Sequence, residues 1–218
     1  MDIKEFICCE KARGDGFRLL SACFYQPEKD VFLEEKIFEK LALLLKQVSP
    51  EASAVVSDME KFFSKNSEEE LNVDYAKLFV GPNDLLAPPY GSVYLDGGRR
   101  VMGDSTMEVI KLYEEQGLVM DGDFKNLPDH ITVELEFIYY LIFQEIEALE
   151  KSDIAGAIAF INQQKLFLDR FLKRWIQPFC DNMREGASSQ FYRALADCAC
   201  AFIKDAGPGD VLPEKLPQ

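Results

Sequence analysis

The chain has 218 residues, 48% of them hydrophobic and 28% charged, with a net charge of −14. Surface scaling lets a chain of this size bury about 70% of its surface, enough for one large domain or two small ones. The acidic balance excludes nucleic acid and an anionic membrane as partners, because both require a basic face, and is compatible with a cationic partner.

The start, Met1-Asp2-Ile3-Lys4-Glu5-Phe6, lacks the basic residues and unbroken apolar run of a signal peptide. No stretch reaches the roughly 18 apolar residues that span a bilayer. The six cysteines (Cys8, Cys9, Cys23, Cys180, Cys198 and Cys200) include no Cys-x-x-Cys pair, so zinc and iron–sulfur spacings are absent. A reduced, cytoplasmic protein without stable membrane insertion is expected.

Helical signals follow one another along the chain. Asp2-x-x-Glu5 predicts a capped first helix, apolar through Phe17, Leu20 and Phe24 to Pro27, with Gly14 and Gly16 loosening its middle. Leu33, Ile37, Leu41, Leu44 and Leu45 repeat at helical spacing over residues 32–48. Ser49-Pro50-Glu51 opens the next helix, and Ser67-x-x-Glu70 is a capping box before Leu71, Tyr75, Leu78 and Phe79, stopped by Gly81-Pro82. Across residues 82–103 the pattern breaks: Pro88-Pro89 forbids helix, Ser92-Val93-Tyr94-Leu95 suits a short extended stretch, and Asp96-Gly97-Gly98 a turn, predicting an irregular or hairpin-like loop. Ser105-x-x-Glu108 predicts another capped helix to about Gly117, followed by a linker at 118–128. From Asp129 a helix apolar almost all round, with Ile131, Leu135, Ile138 and Ile142, belongs at the centre of the core. Ser152 opens a long helix through Trp175, a last helix covers roughly 189–206, and the proline-rich residues 207–218 form a loose tail. The expected fold is all-α, a single globular helical bundle over residues 1–206.

Phosphate-binding Gly-x-x-x-x-Gly-Lys-Ser/Thr, Gly-x-Gly-x-x-Gly and Gly-x-Ser-x-Gly motifs are all missing, which argues against an enzyme. The single histidine, His130, allows neither a histidine metal cluster nor a relay; after Pro128-Asp129 it belongs at a helix start, where the first N–H groups lack partners. Three segments stand out: Tyr75-Ala76-Lys77-Leu78-Phe79-Val80-Gly81, Pro88-Pro89-Tyr90-Gly91-Ser92-Val93-Tyr94, and Pro128-Asp129-His130 with its helix.

Together, in this order and spacing, they resemble the TorD/DmsD family of redox-enzyme maturation chaperones. The resemblance implies an all-helical, non-catalytic protein with no cofactor of its own. Its partner would be the twin-arginine leader and apo-form of a molybdopterin oxidoreductase, held until the molybdenum cofactor is inserted and export follows. Carried over by motif, the leader-binding surface would comprise Tyr75, Leu78, Phe79 and Gly81, with Asp129 and His130 beside it and Tyr90 and Ser92 in the middle segment. Asp129 would accept from an arginine, and His130 would donate to a leader carbonyl or stack on a side chain. Two positions depart from the family pattern: Leu127 and Gly91 both stand where an acid is common. Alternatives are a nucleotide- or molybdopterin-handling maturation enzyme, and an assembly chaperone for a respiratory reductase that is not exported. A monomer and a dimer swapped about the 118–128 linker both fit.

Overall fold

The computed structural model describes residues 2–82, 84–97, 100–120 and 126–209. These form eleven α-helices, two of them extended by a π-helical turn, and no strand. The all-α expectation holds. Residues 121–125 of the expected hinge and 210–218 of the expected tail lie outside the described residues.

Several helices begin where their local sequence says they should. In α1 (Ile3–Ala22) the Asp2 carboxylate accepts from Glu5 N–H and the Glu5 carboxylate accepts from Asp2 N–H. Ser49 caps α4 (Pro50–Lys65), and Ser67 and Glu70 form the box that opens α5 (Glu68–Tyr75). Elsewhere the chain departs from its periodicity. Residues 32–48 are not one helix: α2 (Lys29–Glu34) and α3 (Ile37–Val48) are parted at Lys36, whose φ of 53° breaks the helical run. The expected Ser105-x-x-Glu108 box does not form. α7 (Asp104–Glu115) starts two residues earlier, after Gly103, and Asp96 accepts from the Ser105 N–H and hydroxyl instead. Likewise Asp153, not Ser152, caps α9 (Ile154–Phe167), which continues through a π-helical turn (Leu168–Leu172) into α10 (Lys173–Gly186).

Helix α8 (Ile131–Glu150) is central, as its all-round apolarity predicts, and packs between α1 and α9. Helix α4 lies between α3 and α11 (Gln190–Asp205), and α10 runs against α11. Gly14 and Gly16 do not loosen α1. A Cβ at Gly14 would sit 3.1 Å from Ile142, and one at Gly16 would sit 3.1 Å from Leu45 and Phe202, so both allow close approach of neighbouring elements. The buried Asp74 carboxylate accepts from Ser188 N–H (2.9 Å) and Ser189 N–H (2.8 Å), anchoring α5 to the start of α11. Arg13, buried in α1, donates to Glu10, to Gln164 on α9 and to the Ala206 carbonyl that closes α11.

Candidate functional site

The first motif lies on a widened turn. Helix α5 runs directly into a π-helical stretch, Ala76–Val80, in which Gly81 N–H reaches back five residues to Ala76 O at 2.8 Å. The loop that follows uses the carbonyls of this turn: Leu86 N–H donates to Lys77 O (3.2 Å) and Ala87 N–H to Leu78 O (3.0 Å). Gly81 ends the turn with φ 105°, a conformation that favours glycine. The apolar patch expected of Tyr75, Leu78 and Phe79 forms, with the Tyr75 and Phe79 rings edge to face at 5.4 Å, but its members differ in depth. Leu78 is fully buried, and Phe79 packs among Phe24, Phe179 and Tyr192, while Tyr75 stays half-buried at the surface.

The second and third motifs are joined to each other. Residues 91–95 are helical (α6, Gly91–Leu95), not extended, and the reason lies thirty-seven residues along the chain: Asp129 Oδ2 accepts from Ser92 N–H at 2.7 Å, capping α6 from outside. Asp129 O also accepts from Gly91 N–H (2.8 Å), and Pro89 O from Ile131 N–H (2.8 Å), pinning Tyr90 against His130 in a single antiparallel bridge. Asp129 therefore does not cap its own helix. His130 does: its Nδ1 accepts from Thr132 N–H at 3.2 Å and lies 2.8 Å from the Thr132 hydroxyl. The Tyr90 and His130 rings meet edge to face at 5.4 Å. Ser92, Asp129 and His130 are all buried; Tyr75, Gly81 and Tyr90 remain part-exposed.

With Nδ1 accepting, the His130 proton belongs on Nε2, and burial pushes its pKa down to about 4. The imidazole is thus neutral at physiological pH, and His130 is expected to show one NMR titration with a midpoint near 4 and the Nε2–H tautomer above it. Because the chain has a single histidine, tag-free protein gives an unambiguous signal; a midpoint near 6.5 would contradict the buried cap.

Beneath α6 lies a group that motif spacing did not reveal. Trp175, the only tryptophan, donates its indole N–H to Glu134 Oε2 at 2.9 Å, and both side chains are wholly buried. Burial pushes the Glu134 carboxyl well above its usual range, opposed by the indole hydrogen bond and reinforced by nearby Asp129. Gly91 lies directly above: a Cβ there would meet Glu134 Oε1 at 3.0 Å and Trp175 Nε1 at 3.1 Å. The sequence signal was available in the position of Glu134, a charged residue on a helix apolar almost all round.

The profile of the family described as "Nitrate reductase delta subunit" matches residues 45–181, which include all three motifs. The chain belongs to this family, that of the TorD/DmsD redox-enzyme maturation chaperones. Among curated relatives, a chaperone protein TorD from Vibrio parahaemolyticus is 25% identical over 72% of each chain. One from Shewanella pealeana is 23% identical over 89% of this chain and 88% of its own. A protein named as a Tat proofreading chaperone, DmsD, from Haemophilus influenzae is 27% identical over 82% of each. A crystal structure described as a redox enzyme maturation protein from Archaeoglobus fulgidus shares the fold, with a TM-score of 0.53 and 21% identity over 88% of this chain and 93% of that one.

In this TorD-family chain the joined motifs border an open cleft of about 610 Å³, walled by Leu86, Pro88, Tyr90, Val93 and Val101 with Asp84 and Asn182 at its edge. Leu86, Val101, Met102 and Val80 are among its large apolar side chains left exposed. The cleft thus combines apolar walls with a carboxylate at the rim. Among the described residues no cluster of His, Cys, Asp and Glu is placed to hold a metal, and no helix is long and apolar enough to cross a membrane.

Proposed function

We propose that this protein is a cytoplasmic chaperone that binds the twin-arginine leader or apo-form of a molybdenum oxidoreductase and holds it while its cofactor is inserted. The observation that carries this reading is the joining of the family's motifs: Asp129 fixes α6, His130 carries Tyr90, and the turn from Tyr75 to Gly81 holds the loop that walls the same cleft. In this reading Tyr75, Gly81 and Tyr90, being part-exposed, contact the client. Leu78, Phe79, Ser92, Asp129 and His130 give the surface its shape from beneath.

The leader supplies two guanidinium groups and an apolar run. The net charge of −14 steers the former over a Debye length of about 8 Å at physiological salt. Burying about four apolar side chains contributes roughly 6–12 kcal/mol before the costs of ordering the peptide, which leaves an affinity on the order of micromolar. That strength suits a chaperone that must release its client.

Calorimetric titration of the full chain with a leader peptide is expected to give such an affinity. Tyr90→Ala is expected to weaken it about tenfold, with helical circular dichroism unchanged. No binding by the wild-type chain would refute the leader as ligand. The family description as a nitrate reductase delta subunit supports a second class of client, a reductase that is not exported and is held through another segment. Co-purification of such a reductase from anaerobically grown cells, together with failure to bind leaders, would favour it.

A further inference from the structure

Asp129 cannot grip an exposed arginine without movement, since it is 1% exposed and its Oδ2 caps α6. Two turns further into α8 lies a different acid. Glu136 is exposed, and its Oε1 accepts from the Tyr25 hydroxyl at 2.8 Å and from Ser21 Oγ at 3.1 Å. Among the described residues no lysine or arginine pairs with it, although many surface acids of this chain are paired. Two neutral donors on one oxygen fix the carboxylate's direction without neutralising it.

What surrounds Glu136 suits a peptide side chain. On one side it borders an apolar groove of about 230 Å³, lined by Val133, Phe137, Tyr140, Leu118 and Met120. That volume is below the roughly 300–1,000 Å³ usual for small-molecule sites, and is closer to the size of one or two apolar side chains. On the other side it is tied back to the motif region. Ser21 Oγ also lies 3.3 Å from the Thr132 carbonyl, the Thr132 hydroxyl lies 2.8 Å from His130 Nδ1, and the His130 ring meets that of Tyr90.

Resting on the leader-binding reading, we propose that Glu136, held by Tyr25 and Ser21, is the residue that takes a guanidinium of the client peptide, while the groove beside it takes the neighbouring apolar side chain. The surface is complementary to an arginine next to an apolar residue: an oriented carboxylate with no cationic partner among the described residues, at the lip of an apolar groove, on a strongly acidic protein. A guanidinium satisfies Glu136 without displacing its two donors, and the phenol faces offer it stacking partners.

The test is a double-mutant cycle by calorimetry on the full chain. The probe is a synthetic peptide with two adjacent arginines followed by a leucine–alanine run, and its counterparts with either arginine replaced by glutamine. Glu136→Gln keeps the Tyr25 and Ser21 contacts and lies at the surface, so the fold is retained. The expected result is about tenfold weaker binding of the arginine peptide, with no further loss when one particular arginine is also replaced. Equal affinity of wild type and Glu136→Gln for the arginine peptide would overturn the assignment of Glu136 and leave leader binding standing. Absence of binding by the wild-type chain would overturn both.

Discussion

Replacing Gly91 by glutamate is expected to destabilise the fold by about 4 kcal/mol or more, lowering Tm by roughly 10 °C in a chain of this length. The first methylene alone meets Glu134 Oε1 at 3.0 Å and Trp175 Nε1 at 3.1 Å, both on side chains without room to retreat. Overpacking of that kind costs about 1–3 kcal/mol, and a second carboxyl beside buried Glu134 adds the cost of an unpaired charge. Gly91→Ala is expected to cost only about 1 kcal/mol, since a shift of a few tenths of an ångström accommodates it. Thermal unfolding followed by circular dichroism separates the two. The double variant Gly91→Glu, Glu134→Ala is expected to recover part of the loss, because the new carboxyl then has space and an indole N–H to accept. An unchanged Tm in Gly91→Glu would mean that α6 lifts away from Trp175 at little cost. The glycine at position 91 is thus tied to what lies beneath it.

Arg13→Ala is expected to be about as damaging, at about 3–5 kcal/mol. Arg13 is 3% exposed and donates to Glu10, Gln164 and the Ala206 carbonyl, with Glu145 Oε2 at 3.7 Å. Its removal strands two buried carboxyls and frees the end of α11. Glu145 is held above the usual carboxylate range chiefly by burial and by the charge of Glu10, so the folded protein keeps this proton to higher pH than the unfolded chain. Its contribution is therefore present below the ordinary glutamate pKa and lost as pH rises through the folded value. His130 acts in the opposite sense: its pKa is lowered, so its contribution is present above about 6.5 and lost as pH falls toward 4. In Arg13→Ala, the deficit measured by denaturant unfolding is expected to shrink from pH 8 to pH 5 as the stranded acids protonate. Substituting Arg13, Glu10 and Glu145 together by apolar residues of similar volume is expected to restore stability.

What was legible in the sequence was what depends on neighbours along the chain. Asp2 with Glu5, Ser49 with Pro50, and Ser67 with Glu70 each satisfy a helix start within three residues, and each appears as read. Two of the misreadings come from a partner that local spacing does not show. Ser92–Leu95 has strand-like residues, yet folds as a helix because Asp129 caps it. Asp96 accepts from the Ser105 N–H that the Glu108 carboxylate was expected to take. The break at Lys36 and the π-helical turn after Tyr75 leave no mark in apolar spacing, which drifts only slightly across either. For the candidate site, the three motifs were visible as segments but not their roles. Whether Asp129 faces solvent or a neighbouring helix is decided by packing, and the exposed acid lies two turns beyond the motif, at Glu136.

The wholly buried Trp175 makes the region beneath α6 optically readable. As the chain's only indole it alone sets the tryptophan emission, and its N–H is bonded to Glu134 while its ring stacks on Tyr94 at 5.7 Å. Any client that shifts α6 must alter that dry environment, whereas one that merely rests on the cleft leaves it untouched. Emission wavelength, recorded during a titration with no added dye or label, therefore distinguishes docking onto a rigid surface from docking that remodels it.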